Sequence, residues 1–191
     1  MNPSRVARLR TSFAVPMPPP PQDLPASEIR MASAVDVPVL VTSPKRDERD
    51  LCARLIHATS HRGSGPFVIF SPEMTAALQM HARGASRHRH HEESILRHRI
   101  ERARGGTLFI DDVLSLTAKA QRVLLALLEE RAPITTVDPS ATRPSVRVIA
   151  GASHHANTER SRGAFNDAVF YRLNVLHLDL TRSALSDRYT P

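Results

Sequence analysis

Apolar residues occur along this chain in short continuous runs that alternate with segments of helical pattern. Each run is five to eight residues long, which is typical of strands buried on both faces. Such strands, alternating with helices, predict a parallel sheet covered by helices on both faces. The predicted strands are 37–42, 66–71, 107–111, 145–152 and 174–180, and the predicted helices are 47–59, 92–104 and 117–132.

The beginning of the chain has a different composition. Many of the 15 prolines lie there, in "AVPMPPPPQDLPASE". Consecutive prolines favour an extended conformation and offer few backbone donors. We therefore predict a Pro-rich disordered leader over residues 1–32, an α/β core over 33–180 and a tail over 181–191. A proline-recognition motif is the alternative interpretation of the leader.

Cysteine usage and hydropathy indicate the compartment. The single cysteine, Cys52, cannot form an intramolecular disulfide and suits a reducing environment. It falls on the apolar face of the helix predicted over 47–59, which favours a small buried hydrophobe over a nucleophile. No apolar run approaches the roughly 20 residues of a membrane helix, and no secretory signal is apparent. We predict a cytoplasmic protein that does not contact membranes.

Positive charge is concentrated in one segment. The net charge is +7, and residues 81–104 hold seven Arg and five of the ten His against three Glu. We expect a disordered or loosely helical basic excursion there. A solvated helix is the simpler interpretation, and binding of nucleic acid or another anionic partner is the alternative. The arginines that would contact phosphates are Arg87, Arg89, Arg97 and Arg99.

The histidines of this segment also raise the question of a metal site. His88, His90 and His91 are close in sequence, and His98 follows seven residues later. Zinc ligands are normally held by a rigid scaffold and oriented by hydrogen bonds to neighbouring groups. A run in which arginines repel cations meets neither condition, so we do not predict a metal here.

Polar residues at the ends of two predicted strands are candidates for chemistry. Asp111 and Asp112 end the third strand, and Ser153 follows the fourth. Ligands of parallel sheets bind at the carboxyl ends of the strands. An apolar strand that ends in paired acids is how P-loop ATPases hold magnesium and polarise water. Capping of a helix is the alternative role for these acids.

Several segments together resemble the AAA+ domain of bacterial sigma-54-dependent transcription activators. "GGTLFIDDV" is similar to the family's Walker B segment, usually GGTLFLDEI, and "VRVIAGAS" to its sensor I strand, usually VRIIAATN. "AFNDAVFYRLNVLHLDL" is similar to RFREDLYYRLNVLPIHL. The resemblance spans about residues 37–180 and implies a P-loop NTPase fold that binds Mg-ATP.

The phosphate loop departs most from this family. Where the family has TGESGTGKE, residues 42–50 read "TSPKRDERD", with no glycine and with Arg49 at the position of the phosphate-binding lysine. Glycines let successive N–H groups turn toward phosphates, and Pro44 has no N–H to offer. Ser43 and Pro44 suit an N-cap and a first helical residue. We predict a helix that begins within two residues of Pro44.

Other site positions differ as well. Asp111 matches the magnesium-associated aspartate, but Asp112 replaces the glutamate that polarises water, and Ser153 replaces the sensor I asparagine. Of two arginines near the family's subunit interface, one is Asn166 here and the other is retained as Arg172, for which a surface ion pair is the alternative. The family's GAFTGA motif is absent, and the chain ends before the family's helical lid.

These departures predict a degenerate, non-hydrolysing module that acts through protein contacts in transcription control. Its partners would be AAA+ relatives or the transcription machinery. No cofactor is expected, and Mg-ATP would be held, through Asp111, only if the site retains some affinity. A weakly ATP-binding protein and a binder of anionic partners through 81–104 are the alternatives.

Overall fold

The chain folds around one parallel sheet, as predicted. The computed structural model describes residues 25–81, 91–130, 145–153 and 156–181. Its five strands are hydrogen-bonded in the order β2-β3-β4-β1-β5, and all neighbours are parallel. Each lies within one of the predicted segments: β1 Val39–Thr42, β2 Phe67–Phe70, β3 Thr107–Ile110, β4 Arg147–Ala152 and β5 Leu176–Asp179.

Helices connect and cover these strands. Three of them match the predicted helices 47–59, 92–104 and 117–132 to within a few residues. The others carry too few regularly spaced apolar residues for the pattern to reveal them. The helices are α1 Ala26–Ala34, α2 Arg46–Thr59, α3 Pro72–His81, α4 His91–Arg102, α5 Ala118–Glu129, α6 Ala156–Ser161 and α7 Asp167–Leu173, and a short 3-10 helix, Val113–Ser115, follows β3.

The core has one part on each face of the sheet. In β3, Leu108 and Ile110 pack into the cluster beneath α4, α5 and α7, whereas Phe109 packs into the cluster beneath α1 and α2. This alternation follows from the two-residue period of a strand. Cys52 is fully buried in the second cluster, and burial raises the pKa of its thiol to about 12. The interpretation of Cys52 as a buried hydrophobe is therefore confirmed.

The predicted leader extends too far. Residues 26–32 belong to α1, whose Ile29 and Ala32 are buried in the core. The Arg147 side chain of β4 donates a hydrogen bond from Nη2 to the carbonyl of Ala32 at 2.6 Å. Tertiary contacts thus stabilise a helix that its own sequence pattern does not reveal. Residues 1–24 lie outside the described part of the chain.

The second half of the predicted basic excursion is also different from the expectation. Residues 91–102 form the regular helix α4, and its Leu96 is fully buried against the core. Three apolar residues on one side of this segment anchor it, because they pack into the cluster beneath α4, α5 and α7. They are Ile95, Leu96 and Ile100. Residues 82–90 lie outside the described ranges. None of the helices described here is long and apolar enough to cross a membrane.

Candidate functional site

The connection between β1 and α2 is short and closed. β1 ends at Thr42 and α2 begins at Arg46, so the helix starts two residues after Pro44, as predicted. The prediction that Ser43 is the N-cap is wrong, because Lys45 takes that position without a side-chain cap. The amide of Ser43 instead donates to the Ala152 carbonyl and prolongs the pairing of β1 with β4.

Ser43 still organises the start of the helix. Its Oγ accepts a hydrogen bond from the Lys45 amide at 3.1 Å and donates to Oε2 of Glu48 at 2.7 Å. The other carboxylate oxygen of Glu48 accepts from Nζ of Lys45 at 2.7 Å. Burial raises the pKa of Glu48, but the hydrogen bonds of Lys45 and Ser43 outweigh it and lower that pKa below its ordinary value. A carboxylate therefore lies beside the turn in which the family binds phosphate.

Arg49 fills the interior of the candidate site. Its side chain is buried and reaches Oδ1 of Asp111, with Nη2 at 2.9 Å and Nε at 3.2 Å. A third donor, Nη1, bonds the carbonyl of Ser43 at 2.6 Å. The residue at the position of the phosphate-binding lysine thus contacts the residue at the position of the magnesium-associated aspartate.

Arg46 closes the same carboxylate from the outside. Its Nε lies 2.7 Å from Oδ2 of Asp111, while Nη2 lies 3.3 Å from Sδ of Met74 in α3. The Arg46 side chain is 46% exposed, whereas that of Asp111 is 5% exposed. Both oxygens of Asp111 are therefore held by guanidinium groups. The contribution of Arg46 was not predicted, although its spacing of three residues from Arg49 places both on one helix face.

Gly151 in β4 provides the room for Arg49. A Cβ atom built at Gly151 would lie 3.1 Å from Cδ and 3.2 Å from Nε of Arg49. These separations are tighter than ordinary contacts between non-bonded heavy atoms. The absence of a side chain at residue 151 thus permits the path that Arg49 takes to Asp111.

Asp112 has an unusual environment. It is the only non-glycine residue with positive φ in the described ranges, with φ 60° and ψ 74°. It occupies the cap position of the short 3-10 helix, but its side chain makes no cap hydrogen bond. Its Oδ1 is buried without a hydrogen-bond partner. The alternative role as a side-chain cap is therefore wrong for Asp112.

Two further predicted residues have defined positions. Ser153 directly follows β4, so it lies at the same edge of the sheet as Asp111, and it is half-buried. Asn166 caps α7, because its Oδ1 accepts from the amides of Ala168 at 2.8 Å and Val169 at 3.2 Å. The position of a family arginine thus has a structural role here.

Arg172 forms the surface ion pair that was the alternative interpretation. Its Nη2 lies 3.1 Å from Oε1 of Glu129 in α5, and the two side chains are 47% and 50% exposed. The contact joins α7 to α5 on the outside of the molecule. An exposed pair of this kind contributes little to stability.

The basic segment is partly neutralised by its own acids. Arg97 pairs with Glu93 at 3.0 Å, and Arg104 pairs with Glu101 at 2.6 Å. Arg99 is half-buried, and Arg87 and Arg89 lie outside the described residues. Within the described ranges no group of three potential metal ligands lies together, and His88 and His90 are not among those residues.

The arrangement defines a class of protein. A parallel sheet of this strand order, with a helix after β1 and an acid after β3, is the P-loop NTPase fold. NtrX from Brucella abortus in complex with ATP superposes with a TM-score of 0.63 at 23% identity, covering 81% of this chain and 35% of that chain. The P-loop NTPase domain of an Escherichia coli sigma-54 transport activator gives 0.53 at 19% identity, covering 76% and 98%.

Sequence comparison identifies the family within this fold. The model of the Sigma-54 interaction domain family matches residues 23–179, so the chain belongs to this family. DctD, the C4-dicarboxylate transport regulator of Rhizobium meliloti, is 34% identical over 154 residues, which are 76% of this chain and 32% of DctD. NtrX of Azorhizobium caulinodans is 29% identical over 144 residues, 72% and 30% of the two chains. The chain spans about a third of the length of these relatives.

Proposed function

We propose that this chain is a sigma-54 activator-like AAA+ module that does not hydrolyse ATP and acts through protein contacts in bacterial transcription control. The engagement of both Asp111 oxygens by Arg49 and Arg46 supports this proposal most strongly. The family membership supports the role in transcription control.

The two arginines oppose the binding of magnesium. Mg²⁺ requires oxygen ligands in near-octahedral geometry, and the carboxylate that would supply one is already hydrogen-bonded through both oxygens. A guanidinium cannot lose its proton in a protein. It therefore remains a cation within hydrogen-bond distance of the place where the metal would bind, and a buried like charge repels strongly.

The turn before α2 opposes the binding of phosphates. It has no glycine to turn its N–H groups outward, and the amide of Lys45 already donates to Ser43. Asp47 and Glu48 lie in the first turn of α2. Carboxylates there stabilise the helix terminus but repel the negative charge of a nucleotide.

The position of the water-polarising residue is also unfavourable. Asp112 is one methylene shorter than glutamate, roughly 1.5 Å less reach. Misplacement of a catalytic group by about 1 Å can cost on the order of a hundredfold in rate. We expect its replacement by glutamate to restore nothing, because no nucleotide is positioned for the carboxylate to act on.

Calorimetric titration with Mg-ATP and a phosphate-release assay test the proposal. We expect neither binding heat nor hydrolysis from the unmodified chain or from Asp112→Glu. Rebuilding residues 43–50 as the family's glycine loop should recover weak nucleotide binding without turnover. Hydrolysis by the unmodified chain that is lost in Asp111→Ala would refute the proposal. Binding without hydrolysis would favour the weakly ATP-binding alternative.

The protein-contact role needs a separate measurement. We expect the chain to change the ATPase rate of a full-length sigma-54 activator when the two are mixed, with an effect that saturates as the chain is added. Arg172→Ala is the informative variant if the contact involves α7, and Arg104→Ala, in a different surface ion pair, is its control. An unchanged rate and no co-elution of the two proteins would contradict this part of the proposal.

A further inference from the structure

We infer that Arg46 and Arg49 form an oxyanion-binding site that the protein's own Asp111 carboxylate fills. The inference rests on the proposed function, since it assumes that no magnesium competes for Asp111. The ligand class is a small oxyanion, such as formate or phosphate, or a phosphate group of a larger molecule. The carboxylate of Asp111 acts as a tethered competitor that keeps such anions out.

The donors are arranged around an anion from two sides. Arg49 directs Nη2 and Nε at one oxygen, at 2.9 and 3.2 Å, and Arg46 directs Nε at the other, at 2.7 Å. The bond from Nη1 of Arg49 to the Ser43 carbonyl, at 2.6 Å, holds that guanidinium in place. Planar guanidinium groups with fixed N–H directions are the donors that carboxylates and phosphates bind best.

The surroundings keep these donors in place when the carboxylate is removed. Arg49 is buried and passes over Gly151, where an added Cβ would lie within 3.1–3.2 Å of it. Both arginines lie at the beginning of α2. The side chain of Arg46 is 46% exposed, so an anion from solution can reach this donor.

The tether explains why the unmodified chain should not take up free anions. A ligand attached to the same chain acts at an effective concentration in the millimolar range or above, and Asp111 is in addition fixed by its strand. Substitution of this aspartate should thus have the opposite consequence here from that in a magnesium-dependent ATPase. It should create binding of an anion in place of abolishing binding of a metal.

The test compares Asp111→Ala with Asp111→Asn and the unmodified chain. Each protein is melted in sodium formate and in sodium chloride at equal ionic strength, and the melts are repeated in sodium phosphate. We expect formate, the isostere of the deleted group, to raise the Tm of Asp111→Ala by about 3–6 °C at roughly ten times its Kd. Asp111→Asn fills the space with a neutral group and should respond no more than the unmodified chain.

A second substitution identifies the donors. The double variant Asp111→Ala, Arg49→Met should lose the response to formate. A folded Asp111→Ala whose Tm rises no more than that of the unmodified chain would overturn the inference. If Asp111→Ala does not fold in chloride, its refolding yield in formate is measured instead; recovery supports the inference, and no recovery overturns it. These measurements contain no nucleotide, so they test only the oxyanion site. They can contradict the oxyanion site while the absence of ATP hydrolysis still holds, and ATP hydrolysis can be found even if the oxyanion site is confirmed.

Discussion

Two arginine–aspartate pairs lie at opposite ends of the sheet, one part-buried and one buried. At the amino ends of the strands, Arg62 binds Asp36 through two parallel hydrogen bonds, Nε–Oδ1 at 2.9 Å and Nη2–Oδ2 at 2.7 Å. At the carboxyl ends, Arg49 binds Asp111 through one oxygen, and Arg46 takes the other. The first pair joins two segments between elements, and the second joins α2 to the end of β3.

The two groups differ in the edge of the sheet at which they lie and in the number of arginines that bind the aspartate. The amino-edge pair also reaches the Gly106 carbonyl, through Nη1 of Arg62 at 3.2 Å, and so fixes the approach to β3. The carboxyl-edge group has two cations for one carboxylate, at the edge where parallel sheets bind ligands. The same kind of contact thus joins loops between elements at one edge, and at the other it surrounds the acid that we propose no longer binds magnesium.

Removal of the carboxylate at the amino edge should have the largest effect. Asp36→Ala leaves the buried Arg62 without its carboxylate; breaking a fully buried pair costs about 3–5 kcal/mol, and we expect about 3 kcal/mol here because Asp36 is 18% exposed. The free energy of unfolding from urea denaturation measures it. Asp47→Ala, at an exposed position in α2, is the control. A loss no larger than that of the control would show that the amino-edge pair does not support the fold.

Substitution of Arg49 should cost less, because Arg46 still pairs with Asp111. We expect Arg49→Met to lower the free energy of unfolding by about 2 kcal/mol, below the range for breaking a fully isolated buried pair. Arg54→Met on the same helix removes an exposed pair with Asp50 and serves as the control.

A double variant sharpens this prediction. Arg49→Met combined with Asp111→Leu should recover much of the lost stability, since apolar replacement of a buried pair is often neutral. In Arg49→Met the buried carboxylate of Asp111 keeps only the partner at Oδ2, and in the double variant Arg46 loses that partner but is 46% exposed. A double variant that is less stable than Arg49→Met would contradict the view that the incompletely paired carboxylate is the main cost.

Acidification should weaken the amino edge in two stages. The pKa of His57 is lowered overall, mainly because the side chain is partly buried. A hydrogen bond with the backbone of Gly65 raises this pKa, and the charge of Arg147 lowers it. The unfolded state therefore takes up a proton near pH 6.5, while the folded imidazole stays neutral, and stability falls as the pH drops below that value.

The second stage belongs to Asp36. Burial raises its pKa, but the hydrogen bond and charge of Arg62, aided by His61 and Arg147, lower it overall. Its contribution is present above the unfolded pKa and is lost as the pH falls below about 4. Urea denaturation between pH 7 and pH 3 measures both stages. His57→Gln should flatten the curve near pH 6 only; an unchanged slope there would exclude His57 as the cause.

The smallest effect is expected at the surface pair of α7. Arg172→Ala should change the free energy of unfolding by about 0–0.5 kcal/mol, because exposed ion pairs contribute little. A double-mutant cycle with Glu129→Ala measures the coupling energy of the pair. A coupling energy above about 1 kcal/mol would contradict the prediction and show that this exposed pair stabilises the fold.

Local patterns predicted much of the fold. The strands are continuous apolar runs, and α5 has a regular apolar face, so each is specified by neighbouring residues. α1 was missed because its anchor, the bond from Arg147 to Ala32, comes from a residue 115 positions away. The pattern also predicted a helix over 92–104, but the excursion over 81–104 was expected to be disordered or loosely helical, because its first half is rich in His and Arg and has little apolar surface.

The candidate site divides in the same way. The sequence by itself determined that a glycine-free turn precedes α2 and that acids follow β3, because these are facts of residue type and order. The match of Arg49 to the family's lysine is what the resemblance implies. Only the tertiary structure decided that Arg49 and Arg46 would take both oxygens of Asp111. The sheet brings β3 beside β4, and Gly151 of β4 leaves space for Arg49 to reach a carboxylate 62 residues away. Such contacts depend on strand order and register, which no local pattern encodes.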